Sequence, residues 1–450
     1  MLPTGTRVDL RLLGPAVVAR ELGQGGQGYV YEVHRRDGPT LALKWYKPQC
    51  ASQAQYEALQ MLVEQGSPHA RFLWPMDLAK VRGQPGFGYV MPVRHSRFIE
   101  MGHLISGKAP GGGDLAVSFT SVIALCRQLA DSFRHLHSRG LCYRDISFGN
   151  ILFDPDTGDV VICDNDNVGI DNGTGRVLGT PFFTAPEVVR DPTYSTMPNT
   201  ATDRHSLAVL LFYALCAGHP LEGRRTEEGL RDSGWLVRHF GQEPTFVFHP
   251  TDDSNRPTSP IVSMYWQRYP RFVRETFVRA FTEGLEDPSA RVTEGEWISV
   301  TDRLRDGMMT SPRTGATVFW DRADPGRVCG HCGHRLEPPF VIRVGRRDVV
   351  VSRFTQIRDD HVANTHRNPR VLARTRQHPQ DPRRWGLHNV SGRAWRGRQH
   401  DGRPFTVEPD ETVEITRGLS IDLHPGHLTV REPRRPADTI ANPRSLKGTT

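Results

Sequence analysis

The sequence predicts an α+β fold: a β-rich N-terminal part, a longer helical part, and then a smaller β-rich domain. Three observations predict this order. Short apolar runs separated by Gly, Pro and Asp occur within 15–91, apolar residues recur at helical spacing within 118–140, and strand-like runs return after a Cys-x-x-Cys pair at 329–332. At 450 residues the chain is also longer than one ordinary domain.

The composition between these parts predicts the domain boundaries. A stretch containing Gly and Pro near 307–327 precedes the last domain, and the final residues are rich in Pro and Arg. We predict an N-terminal lead (1–14), a main domain (15–310) with a β-rich lobe at about 15–91 and a helical lobe at about 92–310, a linker (311–327), a CxxC knuckle with a small β domain (328–430), and a disordered tail (431–450).

A glycine-rich segment joins the first two strong strand patterns. Gly23, Gly25 and Gly28 allow backbone N–H groups to come close to phosphate oxygens. Alone, this motif is more typical of an ordinary hairpin, and a dinucleotide-binding site would require a helix directly after it. Here the chain continues as strand, turn and strand, and reaches Lys44. Because the chain has only five lysines among its 57 basic residues, Lys44 is a candidate phosphate ligand.

A carboxylate and an amide are spaced for phosphoryl transfer after the helical pattern that ends near 137. Asp145 precedes Asn150 by five residues. This spacing is typical of a kinase catalytic loop, in which an aspartate accepts the proton of the attacking hydroxyl and an asparagine holds a metal ion on the phosphates. Asp145 is the candidate base, and Asn150 is a candidate ligand of Mg or Mn.

With these motifs in this order, residues 15–310 resemble the protein kinase family. The resemblance implies a bilobal fold, ATP as the phosphoryl donor and protein substrates. It places Gly23, Gly25, Gly28, Val30, Lys44 and Met91 at the nucleotide.

The resemblance also implies a glutamate that forms an ion pair with Lys44. Glu57 opens a helical pattern with apolar residues at 59, 61, 62 and 63, and it is the chosen partner. Glu64 is the alternative, since it lies nearer the usual sequence distance. Glu57 is preferred because Met61 then falls where the family has an apolar core residue, and Glu64 lies close to the helix end.

A second metal-binding aspartate is expected after a short hairpin. Two apolar runs, at 152–153 and 160–162, flank the turn sequence 154–158. By position Asp164 matches the magnesium-chelating aspartate of the Asp-Phe-Gly motif. Asp166 is the alternative, but it would require a longer insertion in the preceding turn.

The segment 179–187 resembles the end of a protein kinase activation segment, which small-molecule kinases of the choline and aminoglycoside type lack. By resemblance, Thr180 belongs to this docking segment, Asp203 braces the catalytic loop, and Glu187 forms a buried ion pair with Arg291. Thr174 is the only hydroxyl residue between Asp164 and Thr180, and it is a candidate autophosphorylation site.

Three residues depart from the family pattern. Tyr143 replaces a histidine that mainly packs, Asn165 replaces the phenylalanine after Asp164, and Ser147 replaces a lysine that neutralises the γ-phosphate. The loss of one such donor typically costs about 2.7–4 kcal/mol of transition-state stabilisation. The competing hypothesis is therefore a pseudokinase that binds nucleotide and acts as a scaffold. Retention of Lys44 and the catalytic carboxylates favours an active kinase.

The last domain begins with Cys329 and Cys332, a spacing that allows two thiolates to bind zinc. Further ligands would have to be histidines, with His331, His334, His361 and His366 as candidates. The stretch from 385–391 to 418–421 distantly resembles the second half of a forkhead-associated domain, without its phosphopeptide-binding residues. We predict a small β-sandwich that serves as a protein-interaction module.

The excess of positive charge lies in the last part of the chain. Residues 321–450 carry a net charge of +9, whereas residues 1–320 carry −2. A basic surface can attract nucleic acid. Here the arginines are spread among strands and are not grouped with aromatic residues, so nucleic-acid binding is not expected.

The remaining composition predicts a cytoplasmic protein. We find no secretory signal pattern and no apolar stretch of 18 residues, and five of the seven cysteines lie among apolar neighbours in the main domain, as reduced thiols do. The whole chain resembles bacterial serine/threonine kinases of tellurite-resistance and stress gene clusters. This resemblance implies a metal-dependent phosphatase and a von Willebrand A-type protein as partners.

Overall fold

The computed structural model describes residues 1–171, 179–191, 193, 196–228, 231–324, 326–330, 332–362, 369–424 and 426–432. The chain divides into two units. Unit 1 comprises Met1–Val262 and Thr276–Ile298, and unit 2 comprises Ser263–Glu275 and Ser299–Thr450. Each unit therefore consists of two separate stretches of the chain, and the boundaries between the units lie within helices.

Unit 1 begins with six strands: β1 Arg7–Leu10, β2 Gly14–Gln24, β3 Gly28–Arg35, β4 Leu41–Tyr46, β5 Asp77–Lys80 and β6 Gly88–Pro92. They close into an antiparallel barrel in the order β1-β2-β3-β4-β6-β5. Because strand side chains alternate between faces, Leu43 and Trp45 enter one core, whereas Ala42 and Tyr46 enter another. Lys44 has the same parity as Ala42 and Tyr46.

The rest of unit 1 is mainly helical. The long helix Phe119–His137 is capped at its N-terminus by Ser118, whose hydroxyl group accepts the backbone N–H of Ser121 (3.0 Å), and it packs against the helix Thr200–Cys216. A π-helix spans Val237–Gln242. Among the described residues, the α-helices are α1 Gln53–Gln65, α2 Gly102–Ser106, α3 Phe119–His137, α4 Pro186–Val189, α5 Thr200–Cys216, α6 Arg224–Glu227, α7 Pro260–Arg268, α8 Arg271–Ala280, α9 Glu283–Glu286 and α10 Glu294–Asp306.

Five short strands flank the loops that carry the candidate site: β7 Ile99–Glu100, β8 Leu141–Cys142, β9 Ile151–Phe153, β10 Val160–Ile162 and β11 Gly169–Ile170. β9 and β10 form an antiparallel hairpin, and β7 pairs with β9. The candidate catalytic loop therefore connects β8 to β9, and the Asp-Asn-Asp segment follows β10. Both loops are anchored at buried strand ends.

Unit 2 contains an antiparallel hairpin and two antiparallel sheets. The hairpin pairs β12 Met308–Thr310 with β13 Thr317–Phe319. The remaining strands are β14 Val341–Val344, β15 Arg347–Val350, β16 Gln356–Arg358, β17 Val371–Gln377, β18 Trp385–Asn389, β19 Trp395–Arg398, β20 Pro404–Val407, β21 Thr412–Glu414, β22 Ser420–Asp422 and β23 His427–Arg431. A six-stranded sheet (β15-β14-β23-β22-β19-β20) and a four-stranded sheet (β16-β17-β18-β21) contribute to one apolar core, which includes Ile342, Leu387 and Trp395.

Several observed elements differ from the predicted boundaries. The predicted lead, 1–14, contains β1, which pairs with β2 and β5 in the barrel because Val8 and Leu10 are buried in its core. The predicted linker, 311–327, contains β13, and Trp320 is buried directly after it. Of the predicted disordered tail, only 431 and 432 lie within the described residues. None of the described helices is long and apolar enough to cross a bilayer.

Candidate active site

Lys44 on β4 lies among acidic and amide groups of unit 1. Its side chain is 6% exposed. Nζ donates hydrogen bonds to Asp164 Oδ1 (3.0 Å), to both carboxylate oxygens of Asp166 (2.9 and 3.0 Å) and to Gln27 Oε1 (2.8 Å). Burial by itself lowers the pKa of Lys44, but the charges of Asp166 and Asp164 leave the pKa above its ordinary value. Lys44 is therefore a buried ammonium group whose position is fixed by carboxylate and amide oxygens, and its positive charge suits an anionic ligand.

The structure corrects the predicted pairing of Glu57 with Lys44. Glu57 is exposed on α1 and accepts a hydrogen bond from Gln53 (2.9 Å), while Glu64 is exposed as well. The buried face of α1 is marked by Leu59. Gln55 lies one turn earlier on that face and reaches the site. Successive residues of an α-helix are about 100° apart, so Glu57 lies about 200° away from Gln55 around the helix axis. The rotation of α1 about its axis therefore directs Glu57 away from Lys44.

The Asp-Asn-Asp segment provides two carboxylates in different environments. The Asp164 side chain is 44% exposed, whereas that of Asp166 is fully buried. Asp164 has φ 53°, a left-handed conformation that non-glycine residues rarely adopt and that concentrates at functional sites. Burial raises the pKa of Asp164 and the charge of Lys44 opposes that rise. Asp164 is thus the carboxylate of this pair that a solvent cation can reach.

Asn165 anchors the same segment. Its side chain is buried, and Nδ2 donates to the carbonyl oxygens of Leu73 (2.9 Å) and Ile162 (3.0 Å). An amide thus occupies the position for which the resemblance implies a phenylalanine, and it fixes the segment by hydrogen bonds to backbone. These hydrogen bonds also hold the two neighbouring carboxylates, Asp164 and Asp166, in place.

Asp145 lies in a hydrogen-bonded cluster on the catalytic loop. Thr180 Oγ1 donates to Asp145 Oδ1 (2.7 Å), and Asn150 Nδ2 donates to Asp145 Oδ2 (3.1 Å) and to its carbonyl oxygen (2.8 Å). Because Asn150 donates its N–H groups to Asp145, its carbonyl oxygen is the atom available to a cation. Ser147 is buried at the turn of this loop. The negative charge of Asp145 also contributes to the raised pKa of Asp164, so the two carboxylates share one site.

Asp203 holds the backbone of the catalytic loop. Its carboxylate accepts the backbone N–H groups of Tyr143 and Arg144 (2.9 Å from the latter) and a hydrogen bond from His137 Nε2 (3.0 Å). Arg144 has φ 73°, so this bracing stabilises a strained residue next to Asp145. Burial lowers the pKa of His137, but hydrogen bonds to Asp203 and Glu294 raise it to about 9.

Tyr143 connects the candidate catalytic loop to the segment of the candidate metal ligand Asp164. It is fully buried, packs edge-on against Phe133 (ring centroids 5.7 Å apart) and donates its hydroxyl hydrogen to the carbonyl oxygen of Cys163. Cys163 directly precedes Asp164. An aromatic side chain therefore fills this position and also fixes the residue before the candidate metal ligand.

Glu187 and Arg291 form the ion pair implied by the resemblance. Arg291 Nη1 donates to Glu187 Oε1 (2.8 Å) and Nη2 donates to Oε2 (2.7 Å), a bidentate geometry. The Arg291 side chain is only 2% exposed. The pair thus fixes the end of the segment that carries Thr180.

The glycine-rich loop connects β2 to β3. Gly25 N donates to Gly28 O (2.9 Å), which closes the turn, and Gly23 pairs with Val30 across the strands. A Cβ at Gly28 would overlap the backbone carbonyl oxygen of Trp45. Val30 packs on the core that contains Met91, and Met91 is buried on β6.

Three residues of the site were not predicted from the sequence. Gln27 bonds to Lys44, Tyr46 donates its hydroxyl hydrogen to Asp166, and Gln55 donates to the backbone oxygen of Asp166 (3.2 Å). The parity of Tyr46 with Lys44 on β4 is the sequence signal that could have identified Tyr46. For the two glutamines the sequence offers no comparable signal.

Two predicted sites have less structural information. Thr174 lies outside the described residues, as do His331 and His366. Cys329 is buried with apolar residues of unit 2, and the described part of the chain contains no group of three or more potential metal ligands. Of the described candidates, His334 Nδ1 bonds to the carbonyl oxygen of Cys332, and His361 bonds to Asp306 and the backbone of Arg358. Zinc therefore gains no support from the described residues.

Comparison with known proteins shows similarity to protein kinases. Residues 108–264 match the protein kinase domain family. The chain is 28% identical over 294 residues to "Protein kinase YegI" of Escherichia coli O157:H7, covering 64% of this chain and 44% of that protein. It is 27% identical over 243 residues to "Serine/threonine-protein kinase PknK" of Mycobacterium tuberculosis, covering 50% of this chain and 20% of that protein.

The chain spans less than half of the length of these relatives. A solved structure, the autoinhibited serine kinase domain of the giant muscle protein titin, is similar with a TM-score of 0.48 at 16% identity, over 63% of this chain and 78% of that one. Residues 108–264 are thus similar to the protein kinase domain family, and the chain is similar at modest identity to proteins named as kinases in Escherichia coli and Mycobacterium tuberculosis.

Proposed function

We propose that this chain transfers the γ-phosphoryl group of ATP to serine and threonine hydroxyls of protein substrates, itself included, with magnesium or manganese. The observation that carries the proposal is the Asp145 cluster, in which Thr180 and Asn150 fix both carboxylate oxygens. A carboxylate in that position accepts the proton of an attacking hydroxyl. The same unit holds the buried ammonium group of Lys44, which suits the phosphates of a nucleotide.

The residues present fit a hard divalent cation. Such ions prefer carboxylate and carbonyl oxygens, and Asp164 offers a partly exposed carboxylate while Asn150 offers an amide oxygen. These two residues would hold the cation. When bound, it supplies positive charge at the transferring phosphate. The protein's own contribution is orientation: Tyr143 and Asn165 fix the segment of Asp164, and Asp203 fixes the backbone next to Asp145.

A modest rate is part of the proposal. Ser147 occupies the position where the family places a lysine, so it provides one neutral donor in place of a positive charge. Lys44 would compensate only in part for this missing positive charge, because it already has two carboxylate partners. Pathway and partners are likewise proposed from the resemblance alone: a bacterial stress-signalling role in the cytoplasm, with a metal-dependent phosphatase and a von Willebrand A-type protein.

The test is transfer of label from γ-labelled ATP with magnesium, using the full chain and a generic protein acceptor. Removal of the Asp145 carboxylate in Asp145→Asn should lower transfer by about 10²–10⁴-fold, the usual contribution of general base catalysis. Asp114→Asn makes the same change at a side chain that is 89% exposed, and it should leave the rate unaltered. Nucleotide binding without any transfer by the wild type would favour the pseudokinase alternative.

A further inference from the structure

The carboxylates that pair with Lys44 do not come from the helix for which the family resemblance implies such a residue. Both close carboxylates come from the segment after β10, and none comes from α1. Asp166 is the better placed of the two, because both of its oxygens lie within 3.0 Å of Nζ, whereas Asp164 uses one oxygen. Asp166 is also fully buried, while Asp164 remains open to the solvent side.

Asp166 is held in this position by its own set of contacts. Tyr46 donates its hydroxyl hydrogen to Asp166 Oδ2, and Gln55 donates to the Asp166 backbone oxygen (3.2 Å). Gln55 Nε2 also lies 3.2 Å from the Tyr46 hydroxyl oxygen. A buried carboxylate is tolerated when it is paired and hydrogen-bonded, and Asp166 satisfies both conditions.

Helix α1 offers an amide where a carboxylate would serve the same purpose. Gln55 lies on the face of α1 that is directed at the site, but it is neutral. Glu57 is exposed and bonds to Gln53. The helix therefore contributes no charge to Lys44, and the charge comes from the Asp-Asn-Asp segment.

We propose that Asp166 is the positioning residue that holds Lys44 toward the nucleotide phosphates, in the role that the family resemblance gives to a helix glutamate. This inference rests on the proposed kinase function. The two aspartates then have different roles, in which Asp164 binds the cation and Asp166 positions the lysine. Pairing of Lys44 then does not require a charged residue of α1 to move into place. Movement of α1 would therefore not control the Lys44 ion pair.

The test compares Asp166→Asn, Glu57→Gln and the double variant Asp166→Asn with Gln55→Glu, all in the full chain. Asp166→Asn should lower kcat/KM for ATP by about tenfold or more, since a misplaced charge weakens transition-state stabilisation. Glu57→Gln should stay within about twofold of the wild type, as exposed substitutions usually do. The double variant places a carboxylate at position 55, whose side chain lies 3.2 Å from the Tyr46 hydroxyl group that contacts Asp166. It should recover most of the loss, which a merely structural defect would not.

A second measurement does not depend on activity. Crystal structures of the wild type and of the variants report the position of the Lys44 side chain. Because both Asp166 oxygens accept hydrogen bonds from Nζ, Asp166→Asn should displace Nζ from its wild-type position, whereas Glu57→Gln should leave it in place. This readout still decides the pairing if no variant, and no wild type, transfers phosphate, in which case only the proposed function fails.

Two results would overturn the inference: a loss in Glu57→Gln as large as that in Asp166→Asn, or a Lys44 side chain that keeps its wild-type position in the crystal structure of Asp166→Asn. If Asp166→Asn does not fold, the double variant decides. A folded and active double variant supports the pairing, and an unfolded or inactive one contradicts it.

Discussion

His137 should make the stability of unit 1 depend on pH. The imidazole is 5% exposed and lies between two carboxylates, with Nε2 3.0 Å from Asp203 and Nδ1 2.9 Å from Glu294. Burial opposes its charge, yet the two carboxylates raise its pKa from 6.5 to about 9. A folded pKa above the unfolded one means that the stabilisation is fully present below pH 6.5 and is lost as the pH rises through 9.

The magnitude follows from the shift. A difference of about 2.5 units corresponds to roughly 3 kcal/mol of unfolding free energy, with a slope approaching 1.4 kcal/mol per pH unit inside this window. Glu294 titrates elsewhere, because its pKa is lowered to about 2. His219 is buried and its pKa is lowered to about 4, so it also titrates outside this window.

Urea unfolding of the wild type and of His137→Gln, followed by circular dichroism in the helical band, provides the assay. The difference in unfolding free energy between the two proteins should shrink by roughly 3 kcal/mol from pH 6 to pH 9, since glutamine carries no titrating charge. His34→Gln is the matched control, because His34 is 57% exposed. A difference that stays constant across this range would refute the reasoning.

Two further substitutions test other contacts. Arg291→Met leaves the Glu187 carboxylate without its bidentate partner and should lower the unfolding free energy by about 3–5 kcal/mol in urea, whereas Arg271→Met, at a side chain 77% exposed, should change it by less than about 1 kcal/mol. Gly28→Ala would force a methyl group against a β4 carbonyl and should raise the KM for ATP, while Gly295→Ala on α10, where a Cβ meets nothing within 4 Å, should not; equal KM values in both variants would contradict this.

Local spacing carried much of the site prediction. Asp145 and Asn150 lie on one short loop, so their spacing limits how far apart they can be, and the structure joins them by two hydrogen bonds. Glu187 and Arg291 are 104 residues apart, and only the family resemblance could pair them from the sequence. The partner of Lys44 was misassigned because the sequence does not specify how α1 is rotated against the barrel.

The β-rich regions show a similar division. Strand-like runs after the Cys-x-x-Cys pair predicted a β-rich last domain. Individual strands such as 371–377 are harder to recognise, because exposed arginines and a glutamine obscure the alternation of apolar residues. The strands within the predicted lead and linker illustrate a related point. Short segments such as Arg7–Leu10 become strands only when neighbouring strands bury their apolar face.

By itself, the sequence predicted the type of chemistry and the residues proposed to carry it: the glycine-rich turn, Lys44, the catalytic loop and the aspartates after β10. These are local motifs, in which backbone geometry and side-chain type suffice. Only the tertiary structure decided which carboxylate meets Lys44, because that contact joins β4 to a segment 122 residues later and depends on helix phase, burial and the hydroxyl group of Tyr46. The choice of Asp166 over Glu57 is therefore a property of packing.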